Sequence, residues 1–115
     1  MRTILIASLM TLATQVRAEE ITAGKVLEHY DANDPYVSDL ATSYLSGAAN
    51  TAASFIALAD LFGKKIVCPP EQLFINSELV ASFIRGHLST NPDRADMGAS
   101  QVLLLAIYNQ FPCSN

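Results

Sequence analysis

No proline interrupts the chain between Pro35 and Phe62, and both ends of that stretch carry helix punctuation. Asp34 precedes Pro35, an N-cap residue followed by proline at the first helical position, and Gly63 stands where a C′ glycine would close the helix. Inside it, Val37, Leu40, Ala41, Tyr44, Ala48, Ala52, Phe55 and Ala59 recur at three- and four-residue steps, the spacing of one helix face. The pattern predicts one helix of about 27 residues, roughly 40 Å long if unbroken, with Ser46-Gly47 as its point of weakness. A chain of 115 residues with such a rod in it has room for one domain and not for two separate cores.

The middle of this segment, Ser46-Gly47-Ala48-Ala49-Asn50-Thr51-Ala52-Ala53-Ser54, consists of small side chains that let another backbone approach closely. In a bilayer that would be a dimerisation stripe, but Asp39, Asn50 and Asp60 argue against a spanning helix. Dense packing within the domain and a subunit interface remain as alternatives, and a homodimer through this region is expected.

The flanking segments are shorter. Thr22 is a capping residue for a first helix carrying Val26 and Leu27, which the polar break Asp31-Ala32-Asn33 ends. A connector from Lys64 to Phe74 contains Cys68-Pro69-Pro70. Asn76 or Ser77 can cap a third helix with an apolar stripe of Leu79, Val80, Phe83, Ile84 and Leu88, stopped by Asn91-Pro92. After the polar loop to Asp96, a last helix is expected from about Met97 to Gln110. Val102, Leu103, Ala106 and Ile107 would face inward, with Leu104, Leu105 and Tyr108 broadening that face until the helix is largely buried. No repeat or low-complexity linker appears, and the fold class is all-α, a small bundle of about four helices.

The first eighteen residues, MRTILIASLMTLATQVRA, differ from the rest. Arg2 supplies a positive start, Thr3 to Leu12 an apolar segment too short to span a bilayer, and Val16-Arg17-Ala18 a signal-peptidase site. Residues 1–18 are therefore expected to be a cleaved signal peptide and 19–115 the functional domain, with no stable membrane insertion after cleavage. Losing Arg2 and Arg17 moves the formal net charge from −4 to −6. In an oxidising compartment a disulfide is the default for Cys68 and Cys113, the only two cysteines. A metal pair or two free thiols are the alternatives, though no histidine or further cysteine sits at ligand spacing to favour metal.

Most catalytic patterns are missing. His29 and His87 are the only histidines, and neither has a partner at helical ligand spacing. Asp31-Ala32-Asn33-Asp34 resembles the start of a calcium loop, but Pro35 and Tyr36 stand where that loop needs an oxygen ligand and glycine. There is no glycine-rich phosphate loop and no Gly-x-Ser-x-Gly elbow. The expectation is a protein that is not an enzyme and needs no cofactor or metal. Lys64-Lys65 is the only basic doublet in an acidic chain, which disfavours nucleic acid; an acidic surface instead suits a protein partner with a basic cleft.

Tyr44-Leu45-Ser46-Gly47-Ala48, Gly63-Lys64, Cys68-Pro69-Pro70, Asn91-Pro92-Asp93-Arg94 and the closing Phe111-Pro112-Cys113 together resemble the Tai/Rap family of type VI secretion immunity proteins. Gly24-Lys25-Val26-Leu27 is similar to that family's opening helix. The resemblance spans roughly residues 22 to 113. It implies a small helical periplasmic protein, commonly homodimeric, that binds a peptidoglycan amidase effector and blocks its active-site cleft. Many relatives carry a second cysteine pair joining the first two helices; Tyr30 and Ala41 stand at the matching positions here. The contact residues do not transfer. The charged loop between the last two helices, with Asn91, Asp93, Arg94 and Asp96, is the expected partner-binding element. Against it stands a plain connector whose Asp96 caps the last helix. The alternative function is a structural or chaperone-like housekeeping role on the same fold, because fold does not fix function.

Overall fold

The computed structural model describes residues 20–71 and 73–114; the expected signal peptide lies outside them. Four α-helices follow one another: α1 (Ala23–Tyr30), α2 (Pro35–Leu61), α3 (Ser77–Thr90) and α4 (Ala99–Gln110). A 3-10 turn, Pro92–Asp96, joins α3 to α4. No helix among the described residues is long and apolar enough to cross a membrane.

Capping chemistry sets most of these boundaries. Thr22 accepts from the Lys25 amide, Asp34 from the Tyr36 amide and Asn76 from the Leu79 amide, each satisfying a donor that the first turn leaves free. Helix α2 runs unbroken through Ser46-Gly47 for 27 residues. It ends in a Schellman turn: the Lys64 amide donates to Ala59 O at 2.8 Å and the Gly63 amide to Asp60 O at 3.0 Å. Gly63 has φ +72°, a left-handed conformation that a side chain would resist.

Each helix contributes to one core. Val26 of α1, Leu45 of α2, Val80 and Ile84 of α3, and Val102, Leu103 and Ile107 of α4 are its largest fully buried side chains. The inward line of α2 is Ala41, Leu45, Ala49 and Ala52; of the expected line, Ala41 and Ala52 are buried and Tyr44 and Ala48 pack against the core, while Leu40 and Phe55 turn outward. Leu40 is 56% and Phe55 48% exposed. Two apolar stripes lie side by side on this helix, and α1 and α3 close on the one with the smaller side chains, where backbones approach nearest.

The last helix needs two corrections. Met97 and Gly98 are extended, so α4 starts at Ala99. Here the chain runs beside the start of α1: the Ala23 amide donates to Met97 O and the Ala99 amide to Ile21 O, both at 2.9 Å. The inward residues are Val102, Leu103, Ala106 and Ile107 as expected. Leu104 and Tyr108 are nonetheless exposed, because α4 packs on α3 and α1 and leaves its other flank uncovered.

Cys68 and Cys113 form a disulfide with Cα atoms 5.0 Å apart. Next to it the Cys68 amide donates to Phe111 O at 2.9 Å, and the Phe111 ring meets Phe83 edge-on at 5.9 Å. The bond ties the connector after α2 to the chain end beyond α4. At the junction of Tyr30 and Ala41, α1 is held without a crosslink. Tyr30 packs on the core and Ala41 lies within it; Ser38 Oγ donates to Tyr30 O at 3.0 Å. Arg85 of α3 clasps Asp31 through both guanidinium nitrogens at 2.8 and 3.0 Å.

Cys113→Ser should lower unfolding free energy by about 4 kcal/mol, the loop-closure effect for a crosslink of this span. Leu45→Ala should cost about 3 kcal/mol by emptying the point where the helices meet. Urea unfolding followed by far-ultraviolet circular dichroism checks both, and a Leu45→Ala loss near zero would refute the assigned face of α2.

Candidate functional site

The loop from Asn91 to Asp96 divides into two sides. Asn91 and Arg94 turn toward α3. Asn91 donates from its backbone amide and from Nδ2 to His87 O, at 3.0 and 3.1 Å, closing the end of α3. Arg94 Nη1 lies 2.8 Å from His87 Nε2. A guanidinium can only donate, so Nε2 is the acceptor and the imidazole proton sits on Nδ1. His87 is itself buried, the one buried polar residue among those described. Asp93 and Asp96, by contrast, are exposed. Asp96 does not cap α4, whose N-cap, Gly98, offers no side chain.

The cap comes from the other end of the domain. Glu20 Oε1 accepts from the Ser100 amide at 2.9 Å, from Ser100 Oγ, and from Tyr44 OH at 3.0 Å. A carboxylate at a helix N-terminus also meets the positive end of the helix dipole. Donation by the Ser100 hydroxyl, aided by its amide and by Tyr44, holds the Glu20 carboxyl below its usual range despite some desolvation. Burial, together with the Glu20 charge, pushes the Tyr44 phenol up to about 12. A Cβ at Gly98 would meet the Glu20 carboxylate and push it aside from this cluster.

Glu20 and Tyr44 stand at one end of a groove between α2 and α4. Its volume is about 500 Å³, and Ala48, Phe55, Leu103 and Leu104 form its floor and sides. Past Phe55 and Leu104 it continues into a second apolar hollow of about 470 Å³, bounded by Ile56, Leu105 and Tyr108. The groove follows from the corrections above, because the outer stripe of α2 and the uncovered flank of α4 face each other across it. Sequence patterning had placed Phe55, Leu104 and Tyr108 in the core; apolar character alone does not distinguish a core face from an open one.

Nothing in this arrangement resembles a catalytic centre. Among the described residues no cluster of histidine, cysteine and carboxylate could hold a metal, and both cysteines are consumed in the disulfide. Most cations among the described residues are engaged as well: Lys25 with Glu28, Lys65 with Asp60 and Arg85 with Asp31. The Arg85 guanidinium holds the Asp31 carboxyl below its usual range. The arrangement suits binding: a carboxylate-bearing loop at one place and a long apolar groove at another.

A family model described as Rap1a immunity proteins matches residues 11–113. The span includes all four helices, the loop, the groove and both cysteines. No curated protein and no solved structure is significantly similar to the chain.

The Glu20 cluster generates a pH prediction. Its carboxyl titrates lower in the folded chain than in the unfolded one, so its stabilisation is present above the unfolded value, about 4.3, and is lost as pH falls through the folded one. Glu20→Gln should cost about 1 kcal/mol at neutral pH, the usual worth of a helix cap. It should also flatten the fall in stability below about pH 4.5. Thermal melts of both proteins from neutral to acid pH test this; parallel curves would show that Glu20 is not the group responsible.

Proposed function

The chain belongs to the Rap1a immunity protein family, and we propose on that footing that it protects its producing cell in the periplasm by inhibiting a peptidoglycan amidase effector of a type VI secretion system. The observation that carries this reading is the family match over nearly the whole helical domain. The Cys68–Cys113 disulfide supports an exported destination, because such bonds persist in oxidising compartments. Cleavage between Ala18 and Glu19 would release the domain there.

In this reading the inhibitor acts by occupation and needs no chemistry of its own. Asp93 and Asp96 project from the 3-10 turn and enter the effector's cleft, while Asn91 and Arg94 brace the turn against α3. A net negative surface steers the approach to a basic cleft. The domain works as a homodimer: Leu40, Phe55 and Leu58 are about half exposed along the outer side of α2, and a second copy would cover that apolar stripe.

The test is co-expression with amidases encoded beside this gene and exported to the periplasm. Protection from lysis is expected for the intact protein, with affinity for the purified amidase reduced at least about tenfold by Asp93→Ala or Arg94→Ala. Unchanged affinity in both variants would remove the loop from the interface, and lysis despite expression would remove the amidase. Light scattering should give a dimer that Phe55→Glu converts to a monomer. A monomer for the intact chain at every concentration would exclude the homodimer.

A further inference from the structure

Among the described residues His87 is the one buried imidazole, and the hydrogen-bond partner of its ring is Arg94. We propose that His87 is a positioning residue: its neutral imidazole holds the Asn91–Asp96 turn in place through Arg94, and protonation of the ring releases the turn.

The chemistry follows from the two groups. The bond at 2.8 Å uses the Nε2 lone pair, and a proton taken up by the ring occupies that lone pair. The guanidinium cannot accept in return, because it has no free lone pair and stays charged. One proton thus converts a donor–acceptor contact into two facing cations. The Arg94 side chain, half-buried on the turn, is free to swing toward water, whereas the His87 ring sits on helix α3 beside the hollow between α3 and α4 and is largely buried. Arg94 is therefore the member that leaves.

Neighbouring charges do not relieve the conflict. The α3 and α4 residues lining the hollow beside the ring, including Ser82, Thr90, Ala106, Asn109 and Gln110, carry none. On α1, Lys25 is paired with Glu28, and Asp31 just beyond that helix is held by Arg85. On α2, Asp60 is paired with Lys65 and Asp39 is exposed. Asp93 and Asp96 share the turn with Arg94 but neither forms an ion pair with it in the structure; both can receive the guanidinium once it leaves His87.

The turn also has a backbone signature that reports its state. The Arg94 amide donates to Asn91 O at 3.0 Å and the Met97 amide to Arg94 O at 3.1 Å, so both are protected from exchange only while the turn is closed. The importance of the switch for inhibition rests on the loop reading given above. The turn itself can be followed in the isolated protein, so that reading can fail with this one intact.

Hydrogen exchange of the exported protein, corrected for intrinsic rates, should be compared at about pH 7.5 and about pH 5. Protection at Arg94 and Met97 should fall at least about tenfold on acidification, the loss expected for one charge-assisted hydrogen bond. Core amides such as Ile84 and Leu103 should hold. In His87→Gln the fall should vanish, and in His29→Gln it should persist. If His87→Gln does not fold, Arg94→Gln decides: its turn should be weakly protected at both pH values with no further acid loss. Equal protection of the intact protein at both pH values, or a fall that survives in His87→Gln or Arg94→Gln, would overturn the proposal.

Discussion

The fold depends on the close approach of α1 and α3 to a narrow line on α2. Ala41, Ala49 and Ala52 surround Leu45 there, and their small side chains let three backbones converge on one large buried residue. Close approach brings many backbone and side-chain atoms into dispersion contact around it. The same geometry decides what stays open. A helix covered along one line keeps its second apolar line in solvent, and α4, reaching the core from the far side of α3, does not close the gap. The groove and the core are two results of one packing choice.

Local chemistry made most of the architecture legible in advance. Asp34-Pro35 and Gly63 bounded α2, Thr22 and Asn76 opened α1 and α3, and the absence of proline carried α2 through Ser46-Gly47. These signals act within a few residues, which is why a single chain reveals them. The face of α2 was legible only in part, Ala41 and Ala52 being buried as expected and Leu40 and Phe55 not: apolar residues at three- and four-residue steps occur on two adjacent lines, and periodicity cannot say which one a neighbour will cover. The candidate site was legible in part. A charged loop between the last helices could be located, but not its division into an inward pair, Asn91 and Arg94, and an outward pair, Asp93 and Asp96. That division depends on His87, whose burial is a tertiary fact. Glu20 as the cap of α4 was invisible, since eighty residues separate it from Ser100.

The hold on α1 shows how a crosslink can be absent without loss of the arrangement. The family resemblance places a second cystine in many relatives where Tyr30 and Ala41 stand here. In this chain the same junction has an aromatic ring packed on the core, a buried alanine, the Ser38 hydroxyl on Tyr30 O and the Arg85–Asp31 clasp. The clasp is about half exposed, and pairs of that kind contribute roughly 0–1 kcal/mol. Apolar contact therefore carries most of the load, and it acts only in the folded state, whereas a cystine also restricts the unfolded chain.

The position of Glu20 has a consequence for the order in which the molecule can be completed. Its partner Ser100 lies on α4, eighty residues further on, and Cys68 must wait for Cys113, forty-five residues beyond it. A polypeptide is made from its N-terminus, and early segments of most domains can start to settle while later ones are still being made. Helix α1 can rest on α2 as soon as both exist, but Glu20 and the backbone pairing of Ile21 and Ala23 find their partners only once α4 and the stretch before it are in place. The segment leading into α1 is therefore a late addition to a bundle that is otherwise already assembled.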